Sequence, residues 1–567
     1  MTFGATYLGN NRTRFRLWAP GETAVSLESG GRSLPMTAQG DGWFEVEAKS
    51  GPGAAYVYRL ESGQAIPDPA SRAQADDVHG PSLVVDPNAY DWRHSEWKGR
   101  PWHEIILYEL HPGTYGGFAG VQADLDRLAD LGITAIELMP ISDFPGRRNW
   151  GYDGVLPFAP DRAYGTADEL RALVDAAHER RLTVFLDVVY NHFGPDGNYL
   201  GLYAPQFFRN DIKTPWGAAI DFRQPAVRRF FIENALYWLI EYRFDGLRFD
   251  AVHAIADPDF LDEMAAEIRA TIGTQRHVHL VLEHDGNEAR HLRGHFDAQW
   301  NDDAHHALHV LLTGEREGYY KDFATLPACQ LARCLAEGFA YQGEPSAHRQ
   351  GSPRGTPSVD LPPTAFVLFL QNHDQIGNRA FGERLTKLAH PDALRAAVTL
   401  QLLAPQIPLL FMGEERMSCT PFQFFTDFHG ALATAVREGR RREFASFGRF
   451  DGDIPDPNAV ETFEGSRVPT GGDDSFHRAL LALRHAAIVP RLAGARSIEA
   501  SAIGATAVVA RWRMGDGAEL TIGLNLGEGA CDFVAPDGAM LFASRVGALD
   551  GGRLGGHSAV AFLGRPA

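Results

Sequence analysis

Between about residue 103 and residue 412, eight apolar, strand-like runs alternate with amphipathic helical patterns. The runs are ILYEL, TAIELMP, LTVFLDVVYNH, FDGLRFD, VHLVLEH, HFDAQWND, AFVLFLQNHD and IPLLFMGEE. Patterns such as VQADLDRLADLG, ADELRALVDAAHERR and AVRRFFIENALYWLIEY lie between them. A run that is apolar throughout is buried on both faces, which means a parallel sheet covered by helices. Eight such units close into a (β/α)8 barrel. Four of the runs end in acids and imidazoles: DVVYNH, GLRFDAVH, LVLEHD and LQNHDQIGNR. The C-terminal strand ends of a barrel share one face, so Asp187, Asp250, Glu283 and Asp374 are expected to converge there.

The flanks have a different rhythm. TRFRLWAP, AVSLES, GWFEVEA and AAYVYRLE are short strand-like pieces separated by glycine and proline, as in a β-sandwich. TAVVARWR, LTIGLNL and HSAVAFL suggest a second sandwich at the C-terminal end. A chain of 567 residues is too long for one core. The expected division is a β-sandwich over 1–95, the barrel over 96–485 and a β-sandwich over 486–567. The segment 341–364 is rich in Gly, Pro and Ser and precedes the strand bearing Asp374. A loop of that length is usually functional or disordered.

Composition narrows the partners. A net charge of −19 argues against nucleic acid and against an anionic membrane surface, whereas a neutral sugar is compatible with it. The N-terminus carries no signal pattern, and no apolar run approaches a membrane span. The four cysteines are scattered without a CxxC, so free thiols and a cytoplasmic location are expected.

Several carboxylates in one cleft repel one another, and burial separates them into a protonated acid and an ionised base. Glycoside hydrolysis uses such a pair, one to protonate the leaving oxygen and one to attack the anomeric carbon. Arg248 shares a strand face with Asp250 and is placed to hold it ionised. His192, His253 and His373 can hydrogen-bond sugar hydroxyls, and Trp150 and Tyr152 offer flat faces for a pyranose. Trp150 can also be read as a core aromatic, and Asp187 as a structural partner. NDDAHHALH places His305 and His309 one helical turn apart, but it lacks the HExxH pattern, so no metal is expected. No cofactor is expected either, because paired carboxylates suffice for this chemistry.

The order DVVYNH, GLRFDAVH, a Glu-ended fifth strand and NHD resembles the α-amylase superfamily, glycoside hydrolase family 13. That resemblance implies Asp250 as nucleophile, Glu283 as general acid/base and Asp374 as transition-state stabiliser. It implies sugar-binding roles for Arg248, His192 and His373. FPGRRNWGYDGV, AQWNDDAHHALHV, FLQNHDQIGNRAFGERL, TPFQFFTDF, AVREGRRREFASF and DIPDPNAVETF are similar to one branch of the family. Its members act next to the terminal trehalose of maltooligosyl trehalose. RFRLWAP and IPDPASRAQADDVHGPS look like its starch-binding-type sandwich.

The resemblance adds Asp303, His305, His306, Gln375 and Asn378 to the substrate-contacting residues. It implies α-glucan oligosaccharides as substrates and a monomer or homodimer. Two residues depart from the pattern: Gly286 before Asn287, and Arg416 where relatives carry a tryptophan. Two other readings stand beside it. One is a glycogen branching or α-1,6 debranching enzyme of the same superfamily. The other is a catalytically silent α-glucan-binding protein.

Overall fold

The structure is a computed structural model that describes residues 1–214, 216–445 and 454–565. Parts of AVREGRRREFASF and DIPDPNAVETF, together with Pro566 and Ala567, lie outside the described residues. The eight apolar runs form the strands β1 Leu107–Leu110, β2 Ala135–Leu138, β3 Thr183–Val188, β4 Gly246–Phe249, β5 His279–Leu282, β6 Ala298–Trp300, β7 Phe366–Leu368 and β8 Ile407–Phe411. They pair in parallel in chain order, and β1 closes on β8 through Leu107 opposite Leu409. The result is the expected barrel.

Side chains of a strand alternate between faces, so positions two apart point the same way. Leu107, Ala135, Phe185, Val281, Ala298, Val367 and Leu409 form one apolar cluster, separate from the larger core under the helices. This cluster is the barrel floor. Two residues further along the same strands come Glu109, Glu137, Asp187, Glu283 and Trp300. The polar layer therefore sits on top of the apolar one, toward the C-terminal rim. On β4 the floor position is Gly246. A Cβ there would lie 2.2 Å from the Phe185 ring, so only glycine leaves room for that ring.

The covering helices start where the sequence marks them. Thr166 and Glu169 make a reciprocal capping box at the start of the helix Ala167–Glu179. That helix buries Leu170, Leu173, Val174 and Ala177 against the barrel.

Additional antiparallel sheets occupy both ends of the chain. At the N-terminal end Gly4–Gly9, Arg12–Trp18, Trp43–Lys49 and Thr37–Gly40 form one sheet. A second contains Arg32–Pro35, Val25–Ser29 and Ala55–Leu60. Phe15 of the first meets Tyr56 of the second at 4.8 Å between ring centroids. At the C-terminal end a five-stranded sheet running from Arg496–Ala502 to Ala539–Ala543 packs on a three-stranded one through Phe533 and Phe562. The chain stays helical through Arg491, so the strand character expected from about residue 486 begins at Arg496. Arg484, fully buried, donates to the carbonyls of Leu402, Ala404 and Gln406 and fastens this helical segment to the end of Pro391–Leu403.

The segment 86–101 is irregular but anchored. Tyr90, Arg93 and His94 all bond the buried Asp175 carboxylate of a barrel helix. The segment 341–364 folds back on itself, with Gly343 N–H donating to Arg354 O at 2.8 Å and Pro345 bridging Pro353. It docks on the loop after β5, where Gly355 and Thr356 N–H groups donate to the carbonyls of Gly286 and Asn287. Among the described residues no helix is long and apolar enough to cross a membrane.

Candidate active site

A cavity of about 880 Å³ opens at the C-terminal rim of the barrel. Asp250 follows β4, Glu283 follows β5, and Asp374 lies in the short helix His373–Gly377 after β7. All three line the cavity, as do Trp150, Tyr152, His192, His253, His306, His373, Gln375 and Asn378. Strand order and side-chain parity thus bring together acids that are far apart in the chain.

Arg248 lies behind the wall with no exposed surface. One of its amino groups donates to Asp187 at 2.7 Å and to Asp250 at 2.8 Å, and the other sits 3.1 Å from Glu283. Its guanidinium also lies over the Trp300 ring, 4.2 Å from the centroid. Desolvating a guanidinium is costly, and three carboxylates and an aromatic face compensate for it. Asp187, also behind the wall, accepts the Tyr152 hydroxyl at 2.6 Å. Burial lifts its carboxyl to about 6, against the opposing charges of Arg248 and His373.

Asp250 and Glu283 form one electrostatic unit. Burial and the facing Glu283 raise Asp250 well above the ordinary carboxylate range. Burial would raise Glu283 too, but Arg248, His253 and the Ala251 N–H, 2.6 Å from its Oε2, outweigh it and hold it low. Two such carboxylates share a proton between them. Asp250 is further tied by the Asn191 amide at 3.3 Å.

The histidines differ in character. His192 bridges Asn191 and the Tyr152 carbonyl, and burial lowers it to about 4. His306 is also held low by burial. His373 behaves oppositely: burial disfavours its charge, but Asp374 and Glu109 win and lift it to about 9.

Four of the expected contacts do not reach the cavity: Asp187 and Arg248, behind the wall as described, and Asp303 and His305. Asp303 is fully buried, with Arg354 at 2.6 Å and N–H donors from Asn287, Ala340 and Tyr341 around it. Its neighbour Asp302 lines the wall instead. His305 turns away to donate Nδ1–H to Leu370 O at 2.8 Å and stacks on Phe369. Both residues brace the site from behind. Trp150 is largely a core aromatic that also touches the cavity. It is only 3% exposed and stacks on Phe422, yet one edge reaches the cavity. A Cβ on Gly377 would lie 2.0 Å from its ring, so the NHDQIG helix packs directly on it.

Wall residues without a sequence expectation include Trp216, Trp300, Asp302, Glu315, Tyr319, Arg379 and Phe424. Trp216 is 46% exposed and stacks on His192 at 5.3 Å. Glu109 was missed as well, although a charged residue inside ILYEL was a readable signal. Gly286 has a local cause, because a Cβ there would lie 2.5 Å from the His284 ring. Arg416 reaches the Pro469 carbonyl at 3.1 Å and is not a wall residue.

Among the described residues one cluster could hold a metal ion: ligand atoms of His284, Glu288 and His291 lie within 4.8 Å of one another. However, His284 Nδ1 accepts the Gly286 N–H at 2.9 Å, which leaves the ring's proton on Nε2 and removes the lone pair a metal needs.

The profile described as "Alpha amylase, catalytic domain" matches residues 78–201, and one described as a domain of unknown function (DUF3459) matches 495–561. Malto-oligosyltrehalose trehalohydrolase of Deinococcus radiodurans is 43% identical over 500 residues, covering 85% of this chain and 82% of that protein. The chain belongs to the malto-oligosyltrehalose trehalohydrolase family of the α-amylase superfamily. A crystal structure of an α-amylase-like protein from Salmonella typhimurium is 46% identical, with a TM-score of 0.94 and full coverage of both chains. The glycogen-type relative is more distant: a 1,4-alpha-glucan branching enzyme from Corynebacterium efficiens is 33% identical but covers 46% of this chain and 39% of its own.

Proposed function

We propose that this protein is a retaining glycoside hydrolase that cleaves the α-1,4 bond next to the terminal trehalose of maltooligosyl trehalose and releases trehalose. The observation that carries the reading is the near full-length similarity to a malto-oligosyltrehalose trehalohydrolase, in a chain whose three acids surround one cavity. In the empty site the proton shared by the pair favours Asp250; with substrate bound it passes to Glu283, which gives it to the glycosidic oxygen, and trehalose leaves with that oxygen as a hydroxyl. Asp250 attacks the anomeric carbon and forms a covalent glycosyl-enzyme. Glu283, now ionised, takes a proton from water, which displaces Asp250 and restores the starting configuration. Having both acids on one guanidinium supports the close spacing of roughly 5 Å that a retaining pair uses. Asp374, beside the charged His373, holds hydroxyls of the distorted ring. Tyr152, Trp150 and Trp216 supply aromatic surface, and His192, His253, His306, Gln375 and Asn378 supply hydrogen bonds. Arg248 and Asp187 act from behind the wall. No metal or cofactor enters the scheme.

Three further assignments go with this reading. The chain divides into 1–95, 96–485 and 486–567. The enzyme is a monomer or homodimer. It works in the cytoplasm, in keeping with its four free cysteines.

Incubation with maltooligosyl trehalose, amylose and glycogen tests the proposal. Free trehalose should come from the first substrate, and its absence would sink the reading. Transfer to new α-1,6 branches would favour the branching alternative. NMR of the first-formed product should show the α-anomer at the new reducing end.

A further inference from the structure

Glu109 on β1 is 1% exposed, a charged residue in an otherwise apolar strand. Burying a carboxylate there is costly unless something compensates for it. Its Oε1 meets His373 Nδ1 at 2.5 Å, and its Oε2 accepts the His373 backbone N–H at 3.1 Å. Both of its oxygens are thus committed to one residue of the β7 loop.

The opposite edge of the ring decides the protonation. His373 Nε2 lies 2.8 Å from the Tyr152 hydroxyl and 3.5 Å from Asp374 Oδ1. The Tyr152 hydroxyl has one proton, and it is directed to Asp187 Oδ2 at 2.6 Å. That oxygen also accepts a hydrogen bond from Arg248, so it acts as an acceptor. The hydroxyl must then accept from Nε2. Nδ1, facing a carboxylate, must donate as well. A histidine with both nitrogens donating is an imidazolium.

We propose that Glu109 is a positioning residue: it locks the His373 ring with both nitrogens as donors, so that the ring keeps a fixed charge beside Asp374 and a fixed proton toward Tyr152. The elevated His373 value of about 9 agrees with this, since Asp374 and Glu109 there overcome burial. The other titratable groups that bear on the ring are Glu137 on β2, Asp187 on β3, Arg248 on β4, Glu283 after β5, and Tyr152 and His111 in loops. Glu137 lies opposite Glu109 in the strand register and does not serve as counter-ion while Glu109 is charged. Burial first, and Glu109 after it, push its carboxyl well above the carboxylate range. Glu109 does not touch the cavity, so its influence passes through His373 to Asp374 and through Tyr152 and Asp187 to Arg248.

The proposal rests on the hydrolase reading only for the choice of substrate. The test is a ring titration of His373 by NMR in 15N-histidine-labelled full-length protein, with the signal identified by its absence in a His373→Asn variant. In the wild type both ring protons should persist to about pH 9. In Glu109→Gln the midpoint should fall by roughly one to three units, as expected for loss of a contacting opposite charge. Glu109→Asp should recover part of that shift. Trehalose release at pH 8 should drop at least tenfold more than at pH 6 in Glu109→Gln, with an unchanged circular-dichroism spectrum. An unmoved His373 midpoint in a folded Glu109→Gln protein would overturn the proposal. If the wild type released no trehalose, the hydrolase reading would fail, but the titration result would stand.

Discussion

Replacing Arg354 by methionine tests whether the segment 341–364 is a fixed part of the active-site wall. Arg354 is 5% exposed and ties three pieces together. Its guanidinium pairs with Asp303 at 2.6 Å, donates to the Asp285 carbonyl at 2.9 Å and faces the Asp285 carboxylate at 3.4 Å. Asp285 is on the cavity wall and Asp303 is not. Removing one partner of a buried pair costs about 3–5 kcal/mol, because the other charge is stranded. Asp303 would not be wholly stranded, since Oδ2 keeps N–H bonds from Asn287, Ala340 and Tyr341 at 3.0, 2.9 and 3.1 Å. The lower end, about 3 kcal/mol, is therefore expected. Methionine keeps an apolar stem of similar length but loses the guanidinium that lies over the Tyr341 ring, 5.6 Å from its centroid. Urea unfolding should show the loss as a lower midpoint at constant slope. In the double variant with Asp303→Asn the buried charge is gone, so the combined cost should be at least about 1 kcal/mol smaller than the sum of the single costs. The kcat/KM for trehalose release should fall in Arg354→Met, because Asp285 loses two of its anchors. Additivity of the two substitutions to within about 0.5 kcal/mol would refute the coupling, and with it the view that this loop is held by the Arg354–Asp303 pair.

Further outcomes follow from the same geometry. Glu283→Gln should lower kcat by about 10²–10⁴-fold with little change in melting temperature, and a variant with unchanged hydrolysis would remove Glu283 from its assigned role. Trp216→Ala should raise KM by roughly two- to tenfold at nearly constant kcat, reflecting about 0.5–1.5 kcal/mol of stacking, measured by steady-state kinetics. Gly377→Ala should cost about 1–3 kcal/mol and also depress kcat, since the new Cβ must displace Trp150 or the helix that carries Asp374. Glu414, lifted to about 7 by burial, contributes stability that is fully present below its unfolded value and lost as pH rises through about 7. Relative to wild type, Glu414→Gln should therefore gain about 3 kcal/mol between pH 4.5 and pH 8, and parallel urea midpoints across that range would contradict this.

What the sequence discloses and what it hides divide along a physical line. Strand parity is a local property: once GLRFD is a strand, Gly246, Arg248 and Asp250 must share a face, and the stacking of floor, cation and acid follows. The same parity carries Leu107 to Glu109 and Phe185 to Asp187, which is why the acids could be expected at one rim. Orientation around a helix start is not local in this way. Asp302 and Asp303 are neighbours at the first turn of Asp302–Thr313, equal in chemistry and about 100° apart around the axis. Which one faces the cavity depends on Arg354, a residue in a loop whose composition suggested only irregularity. His305 was misplaced for a related reason, because its partner is a backbone carbonyl on β7's loop and carbonyls leave no trace in a sequence. Glu109 is the intermediate case. Its charge inside an apolar strand announced that a partner must exist, but that partner, His373, lies on the loop of β7, two strands round the barrel and reached only when β8 closes on β1. Residues whose role is set by their own strand can be read directly, and residues whose role is set by closure of the barrel can be flagged only as unexplained charges.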